Sequence, residues 1–332
     1  MMKKRHILHW AMGVVMTPLL GSCAADDVVG DAGREGCDII LGQPMTVTSA
    51  TRATDGRNSP NQFDPDEIVW LWAIKENTTN EHITAWKLKA NGSGGFSSST
   101  TGAAKYWPSD GKKLNVYALH GNFTNSSSIS EGTTQWSSLT ALTHTVETDQ
   151  SSDGNKRLSD LLYSHPSTAV APNTGSVQLT FDHELSKICI VLQKHSDSGI
   201  QDDDLKKATV QVSDIYPEVT YNTSTRAVTT SGTPTAFTLG QETSGSTTYE
   251  AIVPSNMTVN NPHVTITLNN FPTSGTTRTF SCTLSNVTFA KGKKYTFTLT
   301  LHNEIVVSVS SPTISEWIKD EATNMTIPQA TG

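Results

Sequence analysis

Short runs of two-residue hydrophobic alternation recur between residues 68 and 309 and leave few architectures open. Ile68, Trp70, Trp72 and Ile74 share one face of an expected strand and fill a core there. Leu114, Val116 and Ala118 share another face, with Tyr117 and Leu119 opposite. Val177, Leu179 and Phe181 alternate with Gln178 and Thr180, and Ile188, Ile190 and Leu192 follow. The pattern returns in Val210/Val212, Tyr249/Ala251/Val253, Val264/Ile266/Leu268 and Phe280/Cys282/Leu284. It ends in Tyr295/Phe297/Leu299/Leu301 and Ile305/Val307/Val309. Side chains alternate faces along a strand, so this period suits sheets with one buried and one wet face. His302-Asn303-Glu304 is short enough for a hairpin between the last two runs. Many short strands with turns between them favour packed antiparallel sheets, a sandwich or barrel, over α/β. Helical periodicity is scarce: residues 314–318 make one turn around Trp317, and 136–145 is ambiguous.

Thr and Ser together make up a quarter of the 332 residues, 48 and 36 of them. Disorder is nonetheless excluded, because a disordered chain of low hydrophobicity carries high charge and few β-branched or aromatic residues. Here charged residues are only 17% and Thr, Val and Ile recur in the alternating runs. The net charge of −7 comes with no dense basic block, so no nucleic-acid surface is expected. One sandwich takes about 100–150 residues, so the strand pattern implies two domains. The clearest polar break lies at 164–175, which holds Pro166 and Pro172. We place an N-terminal sandwich at 53–175 and a C-terminal sandwich with its tail at 176–332, and the strand at 177–181 suits either side. Residues 92–102 and 122–130 read as exposed loops.

The N-terminus has its own logic. Lys3, Lys4 and Arg5 precede a short apolar stretch that ends in Leu20-Gly21-Ser22-Cys23. That is an export signal over 1–22, too short for a membrane helix. Cys23 directly after Leu-Gly-Ser fits a lipoprotein cleavage box, in which the thiol is acylated. The alternative is an ordinary signal cut near Ala24 or Ala25. Loss of three basic residues takes 24 to 21 against 31 acidic ones, a mature net charge of −10. Acyl chains at Cys23 would anchor the mature chain to a membrane, each buried CH₂ contributing about 0.8 kcal/mol. Of the other cysteines, Cys189 and Cys282 sit in strand-like stretches. They read as free thiols, with a bridge between them as the alternative.

No catalytic constellation assembles. The ten histidines are scattered, and no GxSxG elbow, HExxH pair, P-loop or dinucleotide fingerprint is present. His183 reads as a hydrogen-bonding residue at a strand end. Asp202-Asp203-Asp204 reads as a solvated loop, since consecutive side chains diverge and lack the spacing of a calcium site. Tyr106-Trp107-Pro108 closes one end of a core or forms a glycan-stacking platform; Trp86 is open between the same two roles. No cofactor and no metal are expected.

Several pieces, taken in order, resemble the fimbrillin family of Bacteroides-like bacteria. They are the box at Cys23, Thr51-Arg52-Ala53, Asp66-Glu67-Ile68-Val69, and Tyr106-Trp107-Pro108 with Lys113-Leu114-Asn115-Val116-Tyr117-Ala118. Asp160-Leu161-Leu162-Tyr163, residues 177–187, Lys291-Gly292-Lys293-Lys294-Tyr295 and Ile314-Ser315-Glu316-Trp317 complete the series. The resemblance implies two tandem transthyretin-like antiparallel β-sandwich domains and a structural or adhesive role at the cell surface, without catalysis. It further implies cleavage after an arginine, matched by Arg52 with Arg57 as a poorer substitute, and release of a leading strand from the 23–52 leader. Ile39, Ile40, Leu41, Met45 and Val47 supply that strand, and a segment from another fimbrial subunit then takes its place; the alternative is that residues 24–56 are a flexible tether with one strand. At the donor end only 23 residues, Ser310 to Gly332, follow Val309, and their alternation is sparse. This favours an accessory, tip or anchor subunit. The rival reading is a surface lipoprotein that never polymerises and binds a glycan or a host protein.

Overall fold

Among the described residues, twenty-two strands, two short helices and one 3₁₀ turn follow one another. The computed structural model describes residues 47–49, 63–100, 105–123, 129–165, 168–172, 176–303 and 305–317, those of 47–49 by their backbone. The chain is all-β, with sandwich-like layers of mainly antiparallel sheet. Parallel pairs occur between Val47–Ser49 and Val177–Leu179, and between Ser186–Lys194 and Lys293–His302.

The first sheet has eight strands. In order they are Val177–Leu179, Val47–Ser49, Gly95–Ser98, Glu81–Ala90, Ile68–Lys75, Leu114–His120, Leu162–Ser164 and Phe181–His183. Its two end strands are consecutive in the chain, separated by Thr180 alone. Consecutive Cα atoms are about 3.8 Å apart, so the two ends of the sheet must meet and the sheet rolls round on itself. Inside the roll lie Val69, Leu71, Ala73, Leu88, Val116, Ala118 and Phe181. Phe63 stands edge-on to Phe181 and Phe96, with ring centroids 5.1 and 5.4 Å away.

This corrects the expected facing of Ile68–Lys75. Trp70 and Trp72 lie on the outside of the roll, and Val69, Leu71 and Ala73 fill it. Trp72 is nevertheless fully buried, tilted against Trp136 at 5.3 Å and donating its indole N–H to the Thr134 carbonyl at 2.8 Å. The strand is covered on both faces, which is why its alternation did not reveal the inward side.

The second sheet has eight strands in its main order. They run Thr277–Thr283, His263–Asn269, Thr209–Ile215, Thr235–Gln241, Thr248–Val253, Ser186–Lys194, Lys293–His302 and Ile305–Val309. Thr313–Glu316 pairs further along the same Lys293–His302 strand. Tyr295, Phe297, Leu299 and Leu301 point inward as their spacing predicts. Cys189 and Cys282 are free thiols five strands apart in that order; Cys189 is buried and Cys282 half-buried. Burial pushes their thiols up, to about 12 and about 11.

Smaller sheets tie the large ones together. Leu142–Thr145 pairs with Glu218–Asn222, which pairs with Ala227–Ser231, and Met257–Val259 pairs with Val287–Phe289. One apolar cluster includes Trp72, Leu119 and Tyr163 of the first sheet, Tyr221, and Ile190, Val253 and Phe297 of the second.

Four local expectations change. Gly95–Ser98, within the stretch expected to be a loop, is a strand because both its edges find partners. Asp202–Leu205 is a short helix closed by a Gln201/Asp204 capping box, which gives three successive aspartates favourable first-turn positions. Residues 314–316, within the 314–318 stretch expected as a helical turn, lie in the extended strand Thr313–Glu316, paired to Lys293–Thr296. Ile305, Val307 and Val309 face solvent instead of a core.

Candidate functional site

Val47–Ser49 is hydrogen-bonded along both edges. Val47 and Thr48 stand opposite Phe96 and Gly95 on one side; Val47, Thr48 and Ser49 stand beside Val177, Gln178 and Leu179 on the other. Beside it Val177 and Leu179 are buried in the roll and Phe96 packs against the same core. Without this strand, the backbone N–H and C=O groups of Gly95–Ser98 and Val177–Leu179 face each other unpaired across an apolar floor. Of the residues assigned to the leading strand, Val47 is described, and it lies in this paired strand. Cys23, Ile39, Ile40, Leu41, Met45, Arg52 and Arg57 lie outside the described residues.

The last described segment forms two short strands on one edge of the second sheet. Ile305–Val309 pairs antiparallel with Leu299–His302, and Thr313–Glu316 pairs with Lys293–Thr296 on the same edge. Asn303, in the connecting turn, takes the left-handed conformation with φ of 46°. Outward from this edge Ile305 and Ile314 are more than half exposed, and Val307 and Val309 more than a third. Only Val306 tucks against the core. The alternation that looked like a buried strand is an apolar stripe in water.

Trp317 ends this segment differently, because it is 5% exposed. Its ring lies flat on the His183 imidazole, with centroids 3.7 Å apart and planes at 11°. Lys187 Nζ is 5.1 Å from the indole centroid, and the Trp317 backbone N–H donates to the Gly292 carbonyl at 2.8 Å. His183 Nδ1 is 3.0 Å from Asp160 Oδ1. The hydrogen-bonding role read for His183 is therefore what it performs.

A cavity of about 630 Å³ opens beside this ring pair, lined by Asp182, His183, Arg226, Lys291, Gly292, Glu316 and Trp317. Its charges are matched. Arg226 Nη2 contacts Asp182 Oδ2 at 2.9 Å and the fully buried Glu184 Oε1 at 2.5 Å, and Lys291 Nζ reaches Glu184 Oε2 at 3.2 Å. Burial alone would lower the Arg226 guanidinium, but Glu184 and then Asp182 outweigh it and hold it above its ordinary value. A fixed, neutralised cluster of this kind sets the geometry of the surrounding turns and offers no poised acid or base. The sequence did not join Arg226 or Lys291 to Glu184, which is 42 and 107 residues away from them. Trp107 and Trp86 are both buried, so neither forms a glycan platform. Among the described residues no group of three or more metal-ligating side chains occurs, and no helix is long and apolar enough to cross a membrane.

Comparison with known proteins agrees with this architecture. A candidate cell-adhesion protein from Bacteroides uniformis is similar over 83% of this chain and 98% of its own, with 19% identity and a TM-score of 0.58. One from Bacteroides ovatus matches over 84% and 99%, with 12% identity and a TM-score of 0.62. A fimbrial protein from Bacteroides vulgatus matches over 83% and 99%, with 15% identity and a TM-score of 0.50. No curated protein matches the chain. The fimbrillin-like family profile spans residues 51–317, from beside Arg52 to the seated Trp317. On that span, the chain belongs to the fimbrillin-like family, whose members are structural and adhesive proteins rather than enzymes.

Proposed function

We propose that this protein is an accessory or tip subunit of cell-surface fimbriae, exported as a lipoprotein acylated at Cys23 and assembled by strand exchange after cleavage at Arg52. The observation that carries the reading is the double-edged pairing of Val47–Ser49, which ends three residues before Arg52. A cut there separates the leading strand from the domain it completes. The strand then stays by pairing alone, and a partner strand that buries more apolar surface can displace it. The exposed Ile305/Val307/Val309 stripe supports a donor role for the C-terminal segment, since those side chains would gain burial in another subunit's slot. Pro312 interrupts that segment after a short alternating run, which suits a subunit at or near a fibre end. The non-polymerising glycan-binding alternative loses the two tryptophans it relied on.

The test uses protein lacking residues 1–22 and an arginine-specific protease. A single cut after Arg52 followed by detergent-resistant ladders on gels is the expected result. Protein that is cut but stays monomeric at high concentration, and takes up no added β-strand peptide, would remove the mechanism.

A further inference from the structure

We propose that Trp317 is the pin that holds the segment Ile305–Glu316 on its own subunit, so that withdrawing this one ring from its seat frees the segment for a partner. This rests on the donor reading of that segment given above.

The argument is about where such a segment can be undone. At one end it is joined to Lys293–His302 through the tight turn at Asn303. A paired strand closed by a covalent turn peels from its other end. There the last described side chain is Trp317. Between the two ends the segment is held weakly: its hydrogen bonds lie on one edge and compete with water. Ile305, Val307, Val309 and Ile314 are exposed, and every residue of Thr313–Glu316 is exposed. Trp317 reverses this pattern. Its ring is stacked on His183, capped by the Lys187 ammonium and tied by its backbone N–H to Gly292. The seat is rigid from behind, because Asp160 fixes His183, and Glu250 Oε2 receives Lys187 Nζ at 3.1 Å. The most buried side chain of the described segment therefore stands at the end from which peeling would run. Glu316, beside it, pairs with Lys293 but is 71% exposed and adds little to the hold.

Hydrogen exchange by mass spectrometry on the chain lacking residues 1–22 tests this without requiring assembly. In Trp317→Ala, amides of 305–317 and their partners on the outer edge of 293–302 should exchange about tenfold faster or more. Amides of Ser186–Lys194, on the other edge of that strand, should keep their protection. Trp317→Phe, which retains a stacking ring, should recover most of the protection even if the alanine variant folds poorly. Val307→Ser with Val309→Ser should leave exchange unchanged, because both side chains already face water, while weakening ladder formation after the Arg52 cut. Unchanged exchange in Trp317→Ala overturns the pin. Faster exchange in a protein whose cut form never makes ladders upholds the pin and overturns the assembly reading instead.

Discussion

His144 shows how burial and hydrogen bonding settle a single side chain. Its ring is fully buried. Nδ1 accepts the Asn122 backbone N–H at 3.0 Å, so Nε2 carries the proton and donates to the Ser159 carbonyl at 2.9 Å. A second proton would have to displace the Asn122 bond inside an apolar site. Burial therefore holds the imidazole down at about 4, against about 6.5 when unfolded. Because the unfolded chain takes up the proton first, the stabilisation is complete above pH 6.5, falls as the pH drops toward 4 and changes no further below that. Between pH 7 and pH 5 the expected loss is about 2 kcal/mol. Urea unfolding of the wild type and of His144→Gln at the two pH values checks it, since the variant should lose most of that slope. None of this was visible in Leu142-Thr143-His144-Thr145, where alternation places His144 on the Leu142 face but names neither partner.

Among the elements, the legible strands were those with one wet face. Lys293–His302 alternates strictly because its outward side chains meet solvent or the exposed segment, so its period survives in the sequence. Ile68–Lys75 is apolar on both faces, so its direction was lost, and Gly95–Ser98 carries no period because its neighbours, not its own residues, make it a strand. A similar dependence on neighbours governs Thr235–Gln241 and Thr248–Val253, which pair only at Gly240 and Gln241. Gln150 fills the gap, its side-chain amide donating to the Ile252 carbonyl and accepting the Ile252 N–H, both at 2.8 Å. Gly240 leaves room for it: a Cβ there would stand 2.3 Å from the Gln150 carbonyl oxygen. Gly240→Ala should therefore cost about 2 kcal/mol through displaced Gln150 bonds and strained packing. Gly199→Ala, where an added Cβ meets nothing within 4 Å, is the neutral control in the same chemical-unfolding measurement.

Over the whole molecule, the all-β class and the family were legible because many weak local signals fell in a consistent order. The relation between the halves was not. A division near residue 175 is our proposal for the domain boundary, yet the strands at 177–183 belong to the first sheet and Leu142–Thr145 pairs with Glu218–Asn222. With Trp72 and Tyr163 in the same apolar cluster as Ile190 and Phe297, each half covers part of the other's apolar surface. The chain lacking residues 1–22 should then unfold in one calorimetric transition, with near- and far-ultraviolet dichroism changing together. Two separated transitions would show that the halves fold independently.

Thr180 joins the two ends of the first sheet, and that has a mechanical corollary. Val177–Leu179 forms one bank of the channel holding the leading strand, and His183, four residues on, is the plate against which Trp317 rests. Four residues of extended chain span at most about 14 Å. In the assembly proposed above, the doorway through which a neighbour would arrive and the fastening of the subunit's own tail would thus be mounted on a single short rod. A shift at one would then reach the other without crossing the rest of the protein.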